Sequence, residues 1–359
     1  MNFNSNLKVY VLAPRVETND ENIDYYYDFT QSIAEYTKVF NELQLNWQWT
    51  SVTTENFKEI VLSIKNECET NNIQPLFFNL CDGDELNAVP GISVIKYLDE
   101  LQLKYTGADK YFYNITTSKA DMKDAFDEHN VANADWILIE KVEDIDDSVF
   151  EKIGNPVIVK PSVSGGSMGV GVKNVVHNLS ELEEQVEKML NGYRGWNLSA
   201  GGIIAEQFIS GAEFTVFISG NYDEPATAHI YTPVERVFHS SLKEEEKFLS
   251  FDRLWEIYEE ETQMPNDENF YEYQLPDERL IEEIKQISWD AFVACKGKGY
   301  TRADVRMNSE TKKLYVLEVN AQCGLSEDED YTSIGAILKY SNVSFTSLVK
   351  EIIKNSLRK

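Results

Sequence analysis

Apolar positions along the first hundred residues follow two alternating periods. Residues 7–12 form a strand-like run, and Phe29, Ile33, Tyr36, Phe40 and Leu43 then recur at helical spacing. The order repeats with a helical stripe at Phe57, Ile60, Val61, Ile64 and Cys68, a continuous apolar run over 75–80, and a third stripe at Ile95, Leu98 and Leu101. Strand and helix in alternation predict an open parallel sheet covered by helices, ending near residues 105–107.

The pattern then changes. Residues 119–129 read as a short helix, 136–139 and 156–160 as strands, and 162–171 as a loop of glycine and serine. Ser180 and Glu183 have capping-box spacing ahead of a helix with Leu182, Val186 and Leu190 on one face. The Gly- and Asn-rich stretch 191–202 is expected to cross to a third lobe opening with strands at 203–208 and 213–218 around a turn at Ser210-Gly211. Periodicity blurs between 232 and 276, as in a long ordered insertion or lid. It returns with a helix carrying Leu280, Ile284, Ile287, Ala291 and Cys295, then strands at 300–307 and 313–320. The expected organisation is α/β and α+β, with lobes at 1–115, 116–202 and 203–359.

Composition narrows the function classes. A chain of 359 residues exceeds one compact core, and 42% apolar content is ample for several. No apolar run reaches the roughly 18–20 residues that span a bilayer, and residues 1–6 lack a basic region followed by an apolar stretch, so a cytoplasmic protein is expected. A formal charge of −28 argues against nucleic-acid and membrane partners. Cys68, Cys81, Cys295 and Cys323 lie far apart without paired metal spacing, as structural thiols do.

Three segments carry candidate chemistry. On the late strand pair, alternation puts Arg302 with Asp304 and Glu318 with Asn320, while Ala303, Val305, Met307, Tyr315, Leu317 and Val319 supply an apolar face. Two carboxylates and an amide oxygen are donors that magnesium favours, and Arg302 suits an oxyanion. Read alone, the pair is equally a solvated hairpin. In the second segment, Lys160 ends a strand before Gly165, Gly166, Ser167, Met168 and Gly169, whose backbone N–H groups can approach phosphate; an ordinary turn is the alternative. The glycine, lysine and serine spacing of a P-loop is absent. The third segment runs from Glu206, Gln207, Phe208 and Ile209 to Glu213, a strand, turn and strand with two acids seven apart.

In this order, over nearly the whole chain, these segments resemble the ATP-grasp superfamily, most closely its D-alanine:D-alanine ligase-like branch. The resemblance implies ATP and Mg2+ (or Mn2+) as cofactors and a carboxylate–amine ligase working through an acyl phosphate. By the same resemblance, Lys119, Lys160 and the loop at Gly165, Gly166, Ser167 and Met168 hold phosphates, Glu206, Gln207, Phe208 and Ile209 read adenine, and Glu213 bonds the ribose. Asp304, Glu318 and Asn320 hold the metal, and Arg302, Gly324 and Ser167 are the catalytic positions. Small amino acid or peptide substrates follow, with a homodimer as an open option.

The chain departs from the family pattern where substrates bind. The end of the first strand reads Ala13-Pro14-Arg15-Val16-Glu17 in place of the family's glutamate, and Arg15 suits a carboxylate. The family's His-Gly segment with Gly-Glu-Asp-Gly has become Asn79-Leu80-Cys81-Asp82-Gly83-Asp84-Glu85, which makes Asp84 a substrate candidate. After Asn320 come Ser326, Glu327 and Asp328 in an acidic run that would repel a carboxylate, so a positively charged acceptor other than D-alanine is expected. In the 232–276 insertion, Lys247, Arg236 and Arg253 are placed to reach phosphate or substrate. A kinase of the same fold and a non-catalytic nucleotide-binding module are the competing readings.

Overall fold

The computed structural model describes residues 3–16, 28–146, 148–193 and 195–358. Glu17 lies outside them. Four strands form a parallel sheet: β1 (Leu7–Pro14), β2 (Asn46–Val52), β3 (Gln74–Asn79) and β4 (Lys104–Tyr105), in the order β2-β1-β3-β4. β1 is central and covered on both faces, so it reads as a continuous apolar run. Its odd residues Leu7, Val9 and Val11 pack with Tyr36 and Phe40 of helix Thr30–Glu42; Tyr10 and Leu12 pack with Phe57, Val61 and Ile64 of helix Phe57–Thr70. β2 was not expected. It is an edge strand alternating Trp47, Trp49 and polar residues, too polar to register as a core run.

The middle of the chain builds an antiparallel sheet from β5 (Trp136–Ile139), β6 (Val157–Pro161), β7 (Val175–Val176) and β8 (Ile203–Gln207), ordered β5-β8-β6-β7. β8, expected to open the third lobe, lies between β5 and β6; backbone pairing overrides the sequence break before it. The helix after β7 spans Leu179–Leu190, and its cap is Asn178 with Glu181 rather than Ser180 with Glu183. Both pairs have the required spacing, but Asn178 accepts from the Glu181 N–H while the Glu181 carboxylate accepts from the His177 N–H.

The largest sheet joins β9 (Glu213–Asn221), β10 (His229–Ile230), β11 (Val234–Phe238), β12 (Tyr271–Gln274), β13 (Lys298–Met307) and β14 (Leu314–Ala321), in the order β12-β11-β9-β13-β14 with β10 on β9. One face of β9 and β13, from Phe214, Val216, Ile218, Ala303 and Val305, packs on helix Glu278–Ala294. A bulge between Asp304 and Val305 shifts the β13–β14 register. Val316, rather than Tyr315 and Leu317, therefore joins Val319 in this core. The excursion between β11 and β12 is an ordered insertion with its own cluster of Phe238, Leu242, Met264 and Phe270.

Two final helices, Ser333–Ser341 and Phe345–Arg358, complete the chain. Leu348, Val349, Ile352 and Ile353 share one cluster with Val9, Tyr36 and Phe40 of the first lobe and with Phe217 and Tyr300 of the large sheet. A second tie is polar. The Gln322 side chain, just past β14, donates to the Asn79 carbonyl at the end of β3 and accepts from the Ala108 N–H at 3.0 Å. Gly107 makes this approach feasible: its φ is +90°, and a Cβ there would strike the Gln322 amide. All four cysteines are buried as free thiols. Among the described residues, no helix is long and apolar enough to cross a membrane.

Leu348 is fully buried where the last helix joins the two lobes. Leu348→Ala is expected to cost about 2–5 kcal/mol in urea unfolding, with both lobes still melting in one transition. A loss below about 0.5 kcal/mol would show that the seam is not packed as described.

Candidate active site

The second face of the large sheet carries the polar groups. Successive odd positions of β9 and even positions of β13 face each other as Glu213 with Arg306, Thr215 with Asp304 and Phe217 with Arg302. On the other side, β14 sets Asn320 opposite Arg302 and Glu318 opposite Asp304. Strand alternation thus gathers Arg302, Asp304, Glu318 and Asn320 on one surface, as expected.

Within this cluster, Arg302 Nη2 lies 2.8 Å from Asp304 Oδ2 and 3.9 Å from Glu318 Oε1. Asn320 Nδ2 donates to Asp304 Oδ2 at 3.3 Å and to Glu318 Oε1 at 3.2 Å. Burial alone would raise the Asp304 carboxyl; Arg302 and Arg236 overcome it and hold the group below the ordinary carboxylate range. Glu318 is 35% exposed, and Arg302 approaches it only at 3.9 Å, farther than its 2.8 Å pair with Asp304. Among the described residues, no three His, Cys, Asp or Glu side chains converge as a closed metal cage. Two carboxylates gathered by one side-chain amide, with one carboxylate more open, instead fit magnesium, whose remaining positions would go to water and phosphate oxygens.

Facing them across the cleft is the ammonium group of Lys119, from the start of helix Lys119–Glu128. It donates to the carbonyl and hydroxyl oxygens of Ser164 at 3.0 and 3.2 Å, anchoring the glycine loop. Burial lowers this ammonium; Glu318 pulls it back up and Lys160 pushes it further down, which puts both groups within electrostatic reach of Lys119. Lys160 and Lys123 each hold one oxygen of Glu206, at 2.6 and 2.7 Å. Burial opposes charge on Glu206, yet the two ammoniums reverse that and bring its carboxyl down to about 2. The carboxylate is therefore spent on lysines. In the same segment, Gln207 N–H bonds the Asp135 carbonyl, Phe208 N–H the Pro156 carbonyl, and the Ile209 carbonyl accepts from Arg306.

Glu213 is likewise committed. It is buried between Arg236 and Arg306, so the ribose contact expected of it has no unpaired carboxylate oxygen. Arg236 is consumed in this pair, and Arg253 pairs with Glu246 and Glu261 inside the insertion. The Lys247 ammonium pairs with Glu244, and its carbonyl accepts from Arg306 at 2.8 Å.

The insertion rests on the glycine loop. Ser167 Oγ donates to the Leu249 carbonyl at 2.8 Å, Phe251 N–H to the Val170 carbonyl at 2.8 Å, and Trp255 Nε1 to the Gly166 carbonyl at 2.9 Å. Met168 packs with Leu198 and Phe251. Ser167 and Gly166 have φ near +60°, which aims the loop backbone into a tight turn, and Gly165 has open space beside it.

The substrate candidates separate. Arg15 follows β1, its N–H bonded to the Val52 carbonyl, and Gly324 lies in open space past β14. Asp84 is consumed by its own turn, accepting from the N–H groups of Leu86 and Asn87 and from the Asn87 amide. The Ser326 hydroxyl donates to Glu35 at 2.7 Å. Glu327 pairs with Lys38 at 2.8 Å, and Asp328 accepts from the N–H groups of Asp330 and Tyr331. Glu327 is paired with Lys38 and Asp328 is held by loop N–H groups, so neither stands as the unpartnered acid expected to attract a cationic acceptor.

The sequence reading passed over Lys123, Arg306 and Gln322. Lys123 stands four residues from Lys119 on one helix face, and Arg306 two from Asp304 on one strand face, so extending each period would have found both.

The profile of the family described as D-ala D-ala ligase C-terminus matches residues 126–354. The chain belongs to this family. Among curated members, the D-alanine–D-alanine ligase of Desulfotalea psychrophila is 29% identical over 70% of this chain and 65% of its own length, somewhat less than two thirds. That of Acetivibrio thermocellus is 25% identical over 91% of this chain and 77% of its own length. The crystal structure of the D-alanine–D-alanine ligase from Bacillus anthracis complexed with ATP superposes with a TM-score of 0.64, covering 98% of this chain and 97% of the other at 18% identity. The fold is the ATP-grasp fold.

Glu206→Gln would leave Lys123 and Lys160 without their shared acid and is expected to destabilise the protein by about 3–5 kcal/mol at pH 7. Because the folded carboxyl sits near 2, below its ordinary 4.5, its stabilisation is present above pH 4.5 and lost as pH falls toward 2. Urea unfolding across pH should show the gap between the parent and the variant closing in that window. A gap independent of pH would contradict the triad.

Proposed function

We propose that the chain is an ATP- and magnesium-dependent carboxylate–amine ligase that joins amino acid or peptide substrates through an acyl phosphate. The observation carrying this reading is the cluster of Asp304, Glu318 and Asn320, whose Glu318 lies within electrostatic reach of Lys119, and Lys119 in turn of Lys160. The names of the curated relatives and of the ATP-complexed neighbour support it.

A carboxylate becomes a usable electrophile once its oxygen is phosphorylated, and phosphoryl transfer requires positioned phosphates with their charge neutralised. Lys119, Lys160 and the N–H groups of the glycine loop would bind the phosphates, while Asp304, Glu318 and Asn320 would hold magnesium, which would supply charge neutralisation. Binding of phosphate draws Lys160 partly away from Glu206, with Lys123 retaining the acid. Segment 206–209 lines the base. Arg302, Gly324 and Ser167 serve the reacting centre: the guanidinium stabilises the tetrahedral oxyanion, and the insertion latched to Ser167 excludes water from the acyl phosphate. Arg15 at the end of β1 suits a substrate carboxylate, with Ser326 flanking the second substrate. The first lobe, the middle lobe with β8 in its sheet, and the large-sheet lobe bring these groups together.

With magnesium ATP and a panel including D-alanine, phosphate release should require amino acids, and hydroxylamine should trap a hydroxamate. Asp304→Ala and Glu318→Ala should each lower kcat about a hundredfold or more. Undiminished turnover in both variants would refute the assignment, and a phosphorylated product without hydroxamate would mark a kinase.

A further inference from the structure

Of the acids expected at the substrate end of the cleft, nearly all are spent. Asp84 caps its turn, and Glu85 accepts from the N–H groups of Gly91 and Ser93 and from the Ser93 hydroxyl. Glu327 belongs to Lys38 and Asp328 to its own loop. Asp82 differs: among the described residues no Lys, Arg or His pairs with it, and only its own backbone N–H favours its charged form.

Its place follows from the parallel sheet, whose binding crevice lies at the carboxyl ends of the strands. β3 ends at Asn79, whose carbonyl takes the Gln322 amide, so the segment after β3 and the segment after β14 are stapled together. Asp82 is three residues past one side of the staple, and Cys323 and Gly324 directly follow the other. The Tyr113 hydroxyl, donating to the Gly83 carbonyl at 2.7 Å, fixes the turn. The staple brings the turn of Asp82 to the segment after β14, and the Asp82 charge is felt by Cys323 there and by Tyr300 on β13, two residues before Arg302. The side chain is exposed to solvent, while the protein packed around it raises its carboxyl to about 6.

We propose that Asp82 binds the ammonium group of an amino acid substrate whose carboxylate lies toward Arg302, so that the staple at Gln322 sets the substrate's orientation. A carboxylate short of cations gains most from an arriving ammonium, and a 2-hydroxy acid of the same shape forgoes that gain. The inference rests on the ligase reading for its class of ligand.

The test is calorimetry on the full chain with magnesium and a non-hydrolysable ATP analogue. D-alanine, the common L-amino acids and their 2-hydroxy counterparts are titrated into the parent, Asp82→Asn and Asp82→Glu. At least one amino acid should bind the parent more than tenfold tighter than its hydroxy acid. Asp82→Asn should erase that preference while nucleotide affinity stays within twofold, and Asp82→Glu should restore part of it. An unchanged preference in Asp82→Asn overturns the inference, and the ligase reading survives if amino acids still elicit phosphate release. An equal fall in nucleotide affinity marks Asp82 as structural and overturns the inference as well. If no amino acid binds the parent and none elicits phosphate release, both fall together.

Discussion

The cleft depends on cations interleaved among buried acids. In a chain of formal charge −28, carboxylates gathered on neighbouring strands repel one another, and burial raises the cost of each charge. Glu206 is held by Lys123 and Lys160, Glu213 by Arg236 and Arg306, and Asp304 by Arg302. These pairs occupy three sheet positions around one space, and they decide which acids are structural. What they leave over defines what the cleft can take in: the partly exposed Glu318, approached by Arg302 only at 3.9 Å, on one side, Asp82 on the other.

This arrangement needs both lobes in register. The large sheet alone supplies Arg302, Asp304, Glu318 and Asn320, but the lysines come from the middle sheet and its preceding helix, and Asp82 from the parallel sheet. The last helix and the Gln322 staple fix the first lobe to the large sheet, and the insertion is held on the glycine loop by bonds at Ser167, Val170, Gly166 and Val172 and by the apolar cluster of Met168, Leu198 and Phe251. A cover seated on the glycine loop suits a site that must exclude water once a nucleotide is bound.

Much of this was legible in the residues. β1, β3, β5, β13 and β14 follow from apolar runs and alternation, and the convergence of Arg302, Asp304, Glu318 and Asn320 follows from the two-residue period of a strand. Other features depended on pairing that sequence does not display. β2 was hidden by its polar edge, β8 by a sheet assignment settled only by its neighbours, and the core role of Val316 by a bulge that shifts one register. Charge was the least legible property. Glu213, Glu327 and Asp328 look like free acids in sequence, and only their arginine, lysine and backbone partners, distant along the chain in most cases, show them to be neutralised. Asp82 was obscured for the opposite reason, since a lone acid in a turn has no pattern.

The most direct measurement of the central claim is a crystal structure of the full chain with manganese and a non-hydrolysable ATP analogue, read by anomalous scattering. The account predicts a manganese peak bounded by Asp304, Glu318 and Asn320, with the analogue's phosphates between it and Lys119 and Lys160. A nucleotide bound elsewhere, or a metal peak remote from those oxygens, would contradict it.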